Sequence, residues 1–236
     1  MPLRIGFDMD GVLADFASAF RDHDTRLFGP EADDPIGEPE KEEERQAAST
    51  APTREQTEAR VASARASQRR EDAVWQAIES TPNFWETLRP MDQGAVKRIH
   101  RMMLALRWEV FFITQRPDTA GDTVQRQTQR WLVAQGFDLP SVLVIRGSRG
   151  TAAKALRLDY HVDDNPQNCM DVISDSTARP ILIVPASFGA AIASARKLGI
   201  GVAPRIGDAL DILDQATHAH TNPSLFKRIA TMVGWK

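Results

Sequence analysis

FDMDGVLADF, residues 7–16, decides how the rest of this chain is read. It overlaps Leu3–Asp8 (LRIGFD), a short apolar run that ends in a carboxylate and reads as a buried strand. Asp8 and Asp10 stand two apart where the strand ends, and Gly11 lets the backbone turn sharply beneath them. Phosphoryl transfer needs a nucleophile in line with the leaving oxygen and a second group to protonate that oxygen. Two carboxylates at this spacing can divide those tasks. A solvated Asp-rich turn is the plainer alternative. A calcium loop of the EF-hand kind is excluded, because the third acidic ligand is missing and Ala19 stands where Glu is needed.

Outward from this segment the pattern alternates. Ala95, Val96, Ile99, Met102, Met103 and Leu106 follow helical spacing, Val110–Thr114 reads as a buried strand, and Thr119–Gln135 as a helix. Val142–Ile145 and Tyr160–Asp163 are strands separated by a helix over Thr151–Leu158, and Ile181–Val184 is another strand. Helices near 189–198 and 207–217 follow. Such alternation predicts an α/β fold, a Rossmann-like parallel sheet covered on both faces. Residues 1–15 and 85–217 are expected to form this core, with 16–84 a helical insertion after the first strand and 218–236 a helical C-terminal tail. Within the insertion, 31–50 reads as a flexible acidic stretch and Thr53–Ser80 as a helix. In an open parallel sheet, ligands bind at the carboxyl ends of the strands. Asp8, Thr114 and Asp163 are the polar residues that close these strands.

Composition narrows the classes. A formal net charge of −3 gives no electrostatic reason to expect a nucleic-acid polymer or a membrane surface as partner. Residues 31–72 hold twelve Asp/Glu against seven Lys/Arg, so the remainder is near +2, mildly suited to a small anion. Cys169 is the single cysteine, which rules out an intramolecular disulfide and suits a reducing, cytoplasmic setting. No segment has the length and apolarity of a membrane span.

Two further motifs carry polar chemistry. Thr114 ends the strand EVFFIT and Gln115 follows it, where a hydroxyl and nearby backbone N–H groups can hold a phosphoryl oxygen. VDDNP (162–166) sets Asp163 beside Asp164, and adjacent carboxylates that are buried need a cation, a shared proton or solvent. Magnesium accepts such a donor set. A helix cap before Pro166 is the simpler use of Asp164 or Asn165. Phe16, Phe20, Phe84 and Trp85 flank the two junctions of the insertion and could either stack on a nucleobase or pack insertion against core. His161, inside a strand, reads as structural, and Asn222–Lys236 as a docked terminal helix.

Taken together, FDMDGVL, the strand-terminal Thr114, a basic residue before HVDD and the Asp163–Asp164 pair resemble the four motifs of the haloacid dehalogenase superfamily. FDMDGVLADF and NFWETLRPMDQGAV (83–96) are similar to segments of the 5′(3′)-deoxyribonucleotidases. The resemblance covers residues 1–20 and about 83–185. It implies Asp8 as nucleophile, Asp10 as general acid and base, and Mg2+ held by Asp8, the main-chain carbonyl of Asp10, Asp163 and Asp164. It points Phe16 toward the substrate. The family places a phosphate-binding Lys at the start of the helix that leads into the Asp–Asp strand; here position favours Arg149 and residue type favours Lys154. The implied activity is a phosphomonoesterase acting on a small phosphate ester, such as a (deoxy)nucleoside monophosphate. A phosphotransferase using the same aspartyl-phosphate, and a non-catalytic regulatory protein of the same fold, are the rival readings.

Overall fold

The computed structural model describes residues 2–30, 54–219, 231, 234 and 235, with 54–62 described for backbone alone. The acidic stretch 31–50 and most of the C-terminal tail lie outside the described residues. The strands are β1 (Arg4–Asp8), β2 (Glu109–Thr114), β3 (Val142–Val144), β4 (Tyr160–Asp163), β5 (Arg179–Ile183) and β6 (Gly201–Ala203). All pair in parallel, in the order β3-β2-β1-β4-β5-β6. The helices are α1 (Phe16–Phe28), α2 (Arg54–Ser80), α3 (Ala95–Leu106), α4 (Val124–Ala134), α5 (Arg149–Leu156), α6 (Pro166–Asp175), α7 (Gly189–Lys197) and α8 (Ile206–Ala219). None among the described residues is long and apolar enough to cross a membrane.

The first strand of the chain sits in the middle of the sheet, and its composition explains why. Ile5, Gly6, Phe7 and Asp8 are all buried, the pattern of a strand covered on both faces. Gly6 is required by its neighbour: a Cβ there would lie 2.7 Å from the His161 ring, which register sets directly alongside. Asp8 pairs with Ile113 and Phe7 with Val162, so Asp8, Thr114 and Asp163 reach the same edge of the sheet.

Helix starts are fixed by side-chain caps. Asp15 accepts from Ser18 N at the start of α1, Ser148 from Gly150 N and Thr151 N at α5, and Asn165 from Gln167 N and Asn168 N at α6. Ser148 starts α5 two residues before the expected Thr151, and this brings Arg149 to the helix's first position. Capped by Thr123, α4 starts at Val124, five residues later than the hydrophobic pattern suggested, so 115–123 is loop. Helices α5 and α6 cross at backbone contact: a Cβ on Gly150 would stand 2.0 Å from the Asp171 carbonyl. Beside that crossing, Ser148 Oγ donates to Asp175 Oδ2 at 3.1 Å.

The described part of the insertion consists of α1 and α2. Arg70 holds Asp24 through two hydrogen bonds of 2.6 and 2.5 Å, and Phe16 stacks on Trp75 with centroids 5.3 Å apart. Val74 and Ile78 of α2 are fully buried against the core.

Candidate active site

The site grows from the turn after β1. Leu13 N and Ala14 N both donate to the Met9 carbonyl, and Gly11 N donates to Ala14 O, closing a tight loop. Gly11 has φ +77°, and a Cβ there would fall 1.9 Å from Asp164 Oδ2. Only glycine both makes this turn and lets the Asp164 carboxylate approach. The loop holds Asp10 over the carboxyl edge of the sheet. A cleft of about 470 Å3 opens there, lined in part by Asp8, Asp10, Thr114, Gln115, Arg149 and Asp164.

Asp8, Asp163 and Asp164 each offer a carboxylate oxygen within 4.8 Å of the others. At that separation two unit charges repel by about 3–4 kcal/mol at an effective dielectric near 20. Burial, then Asp163, pushes the Asp8 carboxyl well above its ordinary range, against the pull of Arg149. Asp164, much of whose residue faces solvent, is raised to about 6 by burial of its carboxyl and by Asp163. Asp163 goes the other way. Burial works to raise it, but hydrogen bonds from His161, Asn165 N and Asn168 prevail and hold it below the usual carboxylate range. His161 Nε2 lies 2.9 Å from Asp163 Oδ2, and since a carboxylate only accepts, that nitrogen carries the proton. Asn168 Nδ2 donates to both oxygens at 3.1 Å. One carboxylate is thus anchored as an anion while its two neighbours resist ionisation. Oxygen donors of this kind suit a hard divalent cation, whose charge would relieve Asp8 and Asp164 together.

Arg149 is the positive counterpart. It is buried, and its Nη2 donates to Asp8 Oδ1 at 2.6 Å while its Nε lies 3.6 Å from Asp163 Oδ2. Nε and Nη1 have no hydrogen-bond partner among the described residues. A buried donor left unpaired costs about 1–3 kcal/mol. The guanidinium therefore lacks acceptors that a phosphate oxygen would supply.

The sequence-derived candidates divide cleanly. Asp8, Asp10, Thr114, Gln115, Phe16, Arg149 and Asp164 line the cleft, and buried Asp163 joins the carboxylate cluster behind it. Lys154 does not. It is exposed on α5 and absent from the cleft lining, because the Ser148 cap puts Arg149, not Lys154, at the helix start facing Asp8. Phe16 reaches the cleft while packed against Phe20, Trp75, Phe84 and Trp85, so the packing alternative for these rings holds whatever else Phe16 does. The side chain of Asp10 stands outside the carboxylate cluster and is engaged by Arg116. Sequence reasoning passed over Arg116, Asn168 and the tie from His161 to Asp163, while the helix cap it offered at Asp164 or Asn165 is made by Asn165. Position on the loop after β2 was the only available signal for Arg116.

No protein-family profile matches the chain, and no curated protein does. Solved structures do. A putative β-phosphoglucomutase from Thermotoga maritima superposes with a TM-score of 0.51 at 17% identity, covering 90% of this chain and 98% of the other. A haloacid dehalogenase hydrolase of family IA, variant 3, from Entamoeba histolytica gives 0.44 at 12%, covering 88% and 94%. The haloacid dehalogenase-like protein SP0104 from Streptococcus pneumoniae gives 0.42 at 11%, covering 78% and 85%. At 17% identity the likeness to the first of these is one of fold alone, in line with the Rossmann-like parallel sheet that the alternating pattern predicted.

Proposed function

We propose that this chain, whose fold is that of the haloacid dehalogenase superfamily, is a magnesium-dependent phosphomonoesterase working through an aspartyl-phosphate on a small phosphate ester. The observation that carries this reading is Arg149, a buried guanidinium bonded to Asp8 beside two further carboxylates, with two nitrogens that lack a hydrogen bond among the described residues. A site with anion donors and cation ligands around one carboxylate fits a substrate that brings phosphate to a bound metal.

Asp8, Asp163, Asp164 and the main-chain carbonyl of Asp10 would hold the ion, whose chemistry here is to neutralise charge on the ester's phosphoryl oxygens. Arg149, Thr114 and Gln115 hold the remaining oxygens. An Asp8 oxygen attacks phosphorus, and the bond from phosphorus to the ester oxygen breaks as Asp10 gives that oxygen its proton. The alcohol leaves neutral. Water then attacks the aspartyl-phosphate and returns a proton to Asp10. The bond between Asp8 and phosphorus breaks, releasing inorganic phosphate. A cleft of this volume suits a small ester. A (deoxy)nucleoside monophosphate is a candidate, with Phe16 presenting the rim of its aromatic cluster to the base. Helices α1 and α2, inserted between the two motif-bearing parts of the core, serve as the cap over this cleft.

The test is a screen of nucleotides, sugar phosphates and p-nitrophenyl phosphate, with and without magnesium, on the wild type and Asp8→Asn. The amide cannot accept the phosphoryl group, so turnover should fall by more than about a hundredfold, roughly 3 kcal/mol of transition-state stabilisation. A variant that keeps more than about one per cent of activity removes Asp8 as nucleophile. Added alcohols that capture the phosphoryl group in place of water would make the enzyme a phosphotransferase instead.

A further inference from the structure

Asp10 is held in a way that the two-carboxylate motif does not foretell. Arg116 Nε donates to Asp10 Oδ2 at 2.8 Å and Nη2 to Oδ1 at 2.7 Å, a bidentate fork on one carboxylate. The fork is itself fixed from behind. Its third nitrogen, Nη1, donates to Thr128 Oγ1 at 2.9 Å, and its Cζ lies 4.6 Å above the Trp85 ring. The Arg116 side chain is 1% exposed and that of Asp10 is 25% exposed, so the pair is sealed on the arginine side and open on the cleft side. The loop that carries Arg116 is stitched down as well. Gln127 Nε2 donates to the Asp122 carbonyl at 2.6 Å and its Oε1 accepts from Trp85 N at 3.1 Å, while Trp85 Nε1 donates to the Pro117 carbonyl.

We infer that Arg116 is the positioning residue for proton transfer, aiming the Asp10 carboxyl at the leaving oxygen of the ester. Each carboxylate oxygen has two lone-pair directions, and a bidentate fork occupies one on each oxygen. The other direction on each oxygen is left for the proton that Asp10 gives and takes back. Without the fork, Asp10 is a side chain on a tight loop with free rotation about two bonds. Displacing a proton donor by as little as 1 Å is enough to forfeit much of its effect. The inference rests on the phosphatase reading above. It adds a residue that never touches the ester and acts only through Asp10.

Leaving-group dependence tests it, because a proton donor matters for an alkyl alcohol and hardly at all for dinitrophenolate. The single-turnover rate of alcohol release from an alkyl phosphate and from 2,4-dinitrophenyl phosphate is measured for the wild type, Arg116→Met, Arg116→Lys and Thr128→Val, each checked by thermal melting, because steady-state turnover also contains the water attack in which Asp10 takes the proton back. General acid catalysis contributes about 10²–10⁴-fold. Arg116→Met should lose about tenfold to a hundredfold in that rate on the alkyl ester, with the substrate concentration for half-saturation little changed and dinitrophenolate release nearly retained. Arg116→Lys keeps the charge but cannot form the fork. It should therefore fail to restore the alkyl ester, which separates aiming from mere charge. Thr128→Val, which spares the fork but loosens its support, should show a smaller loss in the same sense and stands in if Arg116→Met does not fold. Equal losses on both esters, or full rescue by Lys, would overturn the positioning role and leave the phosphatase reading intact. A wild type inactive on every ester would instead overturn that reading and this inference with it.

Discussion

Replacing Asp164 by Asn should stabilise the metal-free protein at alkaline pH, gain nothing in acid, and weaken its response to magnesium. Asp164 is raised from 3.8 to about 6 by burial of its carboxyl and by Asp163. Below about pH 4 it is protonated in folded and unfolded chains alike, and the substitution changes little. Between about pH 4 and 6 the unfolded chain gives up this proton more readily than the folded one, so wild-type stability falls as pH rises. Above about 6 the full penalty is present. A carboxyl sealed from water and raised this far would cost about 3 kcal/mol. Asp164 is largely exposed as a residue, and solvent screening brings the expected figure to about 1 kcal/mol. Urea unfolding in a chelator at about pH 4, 6 and 8, comparing wild type with Asp164→Asn at each pH, isolates this one group from the others that titrate. A difference of about 1 kcal/mol corresponds to roughly 2–4 °C in Tm for a chain of this size. With magnesium at about a hundred times its Kd, the wild type should gain about 2.7 kcal/mol and the variant clearly less. A variant no more stable than wild type at pH 8 without metal, or equally favoured at pH 4, would show that these carboxylates do not repel as the geometry requires.

Chelation should stop turnover and magnesium restore it; calcium should restore much less, because its larger, looser coordination shifts the attacking carboxylate. Metal analysis during the assay decides this, and full activity in metal-free protein would contradict the proposed site. Replacing residues 31–50 by a short Gly/Ser linker should leave folding and p-nitrophenyl phosphate hydrolysis largely intact, since none of the site residues lies there and loop length costs little. A variant that melts normally yet cannot hydrolyse that ester would mean the insertion helps build the catalytic centre.

What the sequence disclosed was whatever rests on local pattern. Apolar runs ending in Asp8, Thr114 and Asp163 announced both the strands and their common edge, because a strand covered on both faces must be nearly all apolar and its polar end then stands out. Strand β6 was not foreseen: Gly201–Ala203 is three residues long and reads as an extension of a turn. The strand order, with β1 central, was equally hidden, since pairing of residues more than a hundred positions apart leaves no periodic trace. The same holds at the site. In sequence, position favoured Arg149 and residue type favoured Lys154, and the Ser148 cap, visible only once α5 is placed, decides which meets Asp8. Arg116 is 106 residues from Asp10, and its partner Thr128 lies on a helix whose start was set five residues too early. His161 was read as structural; the sheet shows it bracing Asp163 across two residues of one strand.

The backbone contact between α5 and α6 has a consequence for traffic through the site. With Gly150 against the Asp171 carbonyl and Ser148 tied to Asp175, the two helices leave no slack for sliding. Arg149 opens one of them, and Asn165 and Asn168 open the other. On the proposed reading, the residues that would grip the anion and brace the cation therefore sit on two helices fastened to each other. Ala17, Met91 and Gln115 line the same cleft, are exposed, and belong to neither of these helices. Ala17 stands in the first turn of α1. On the phosphatase reading proposed above, changes at these positions should retune which alcohol is admitted while the contact between α5 and α6 is untouched.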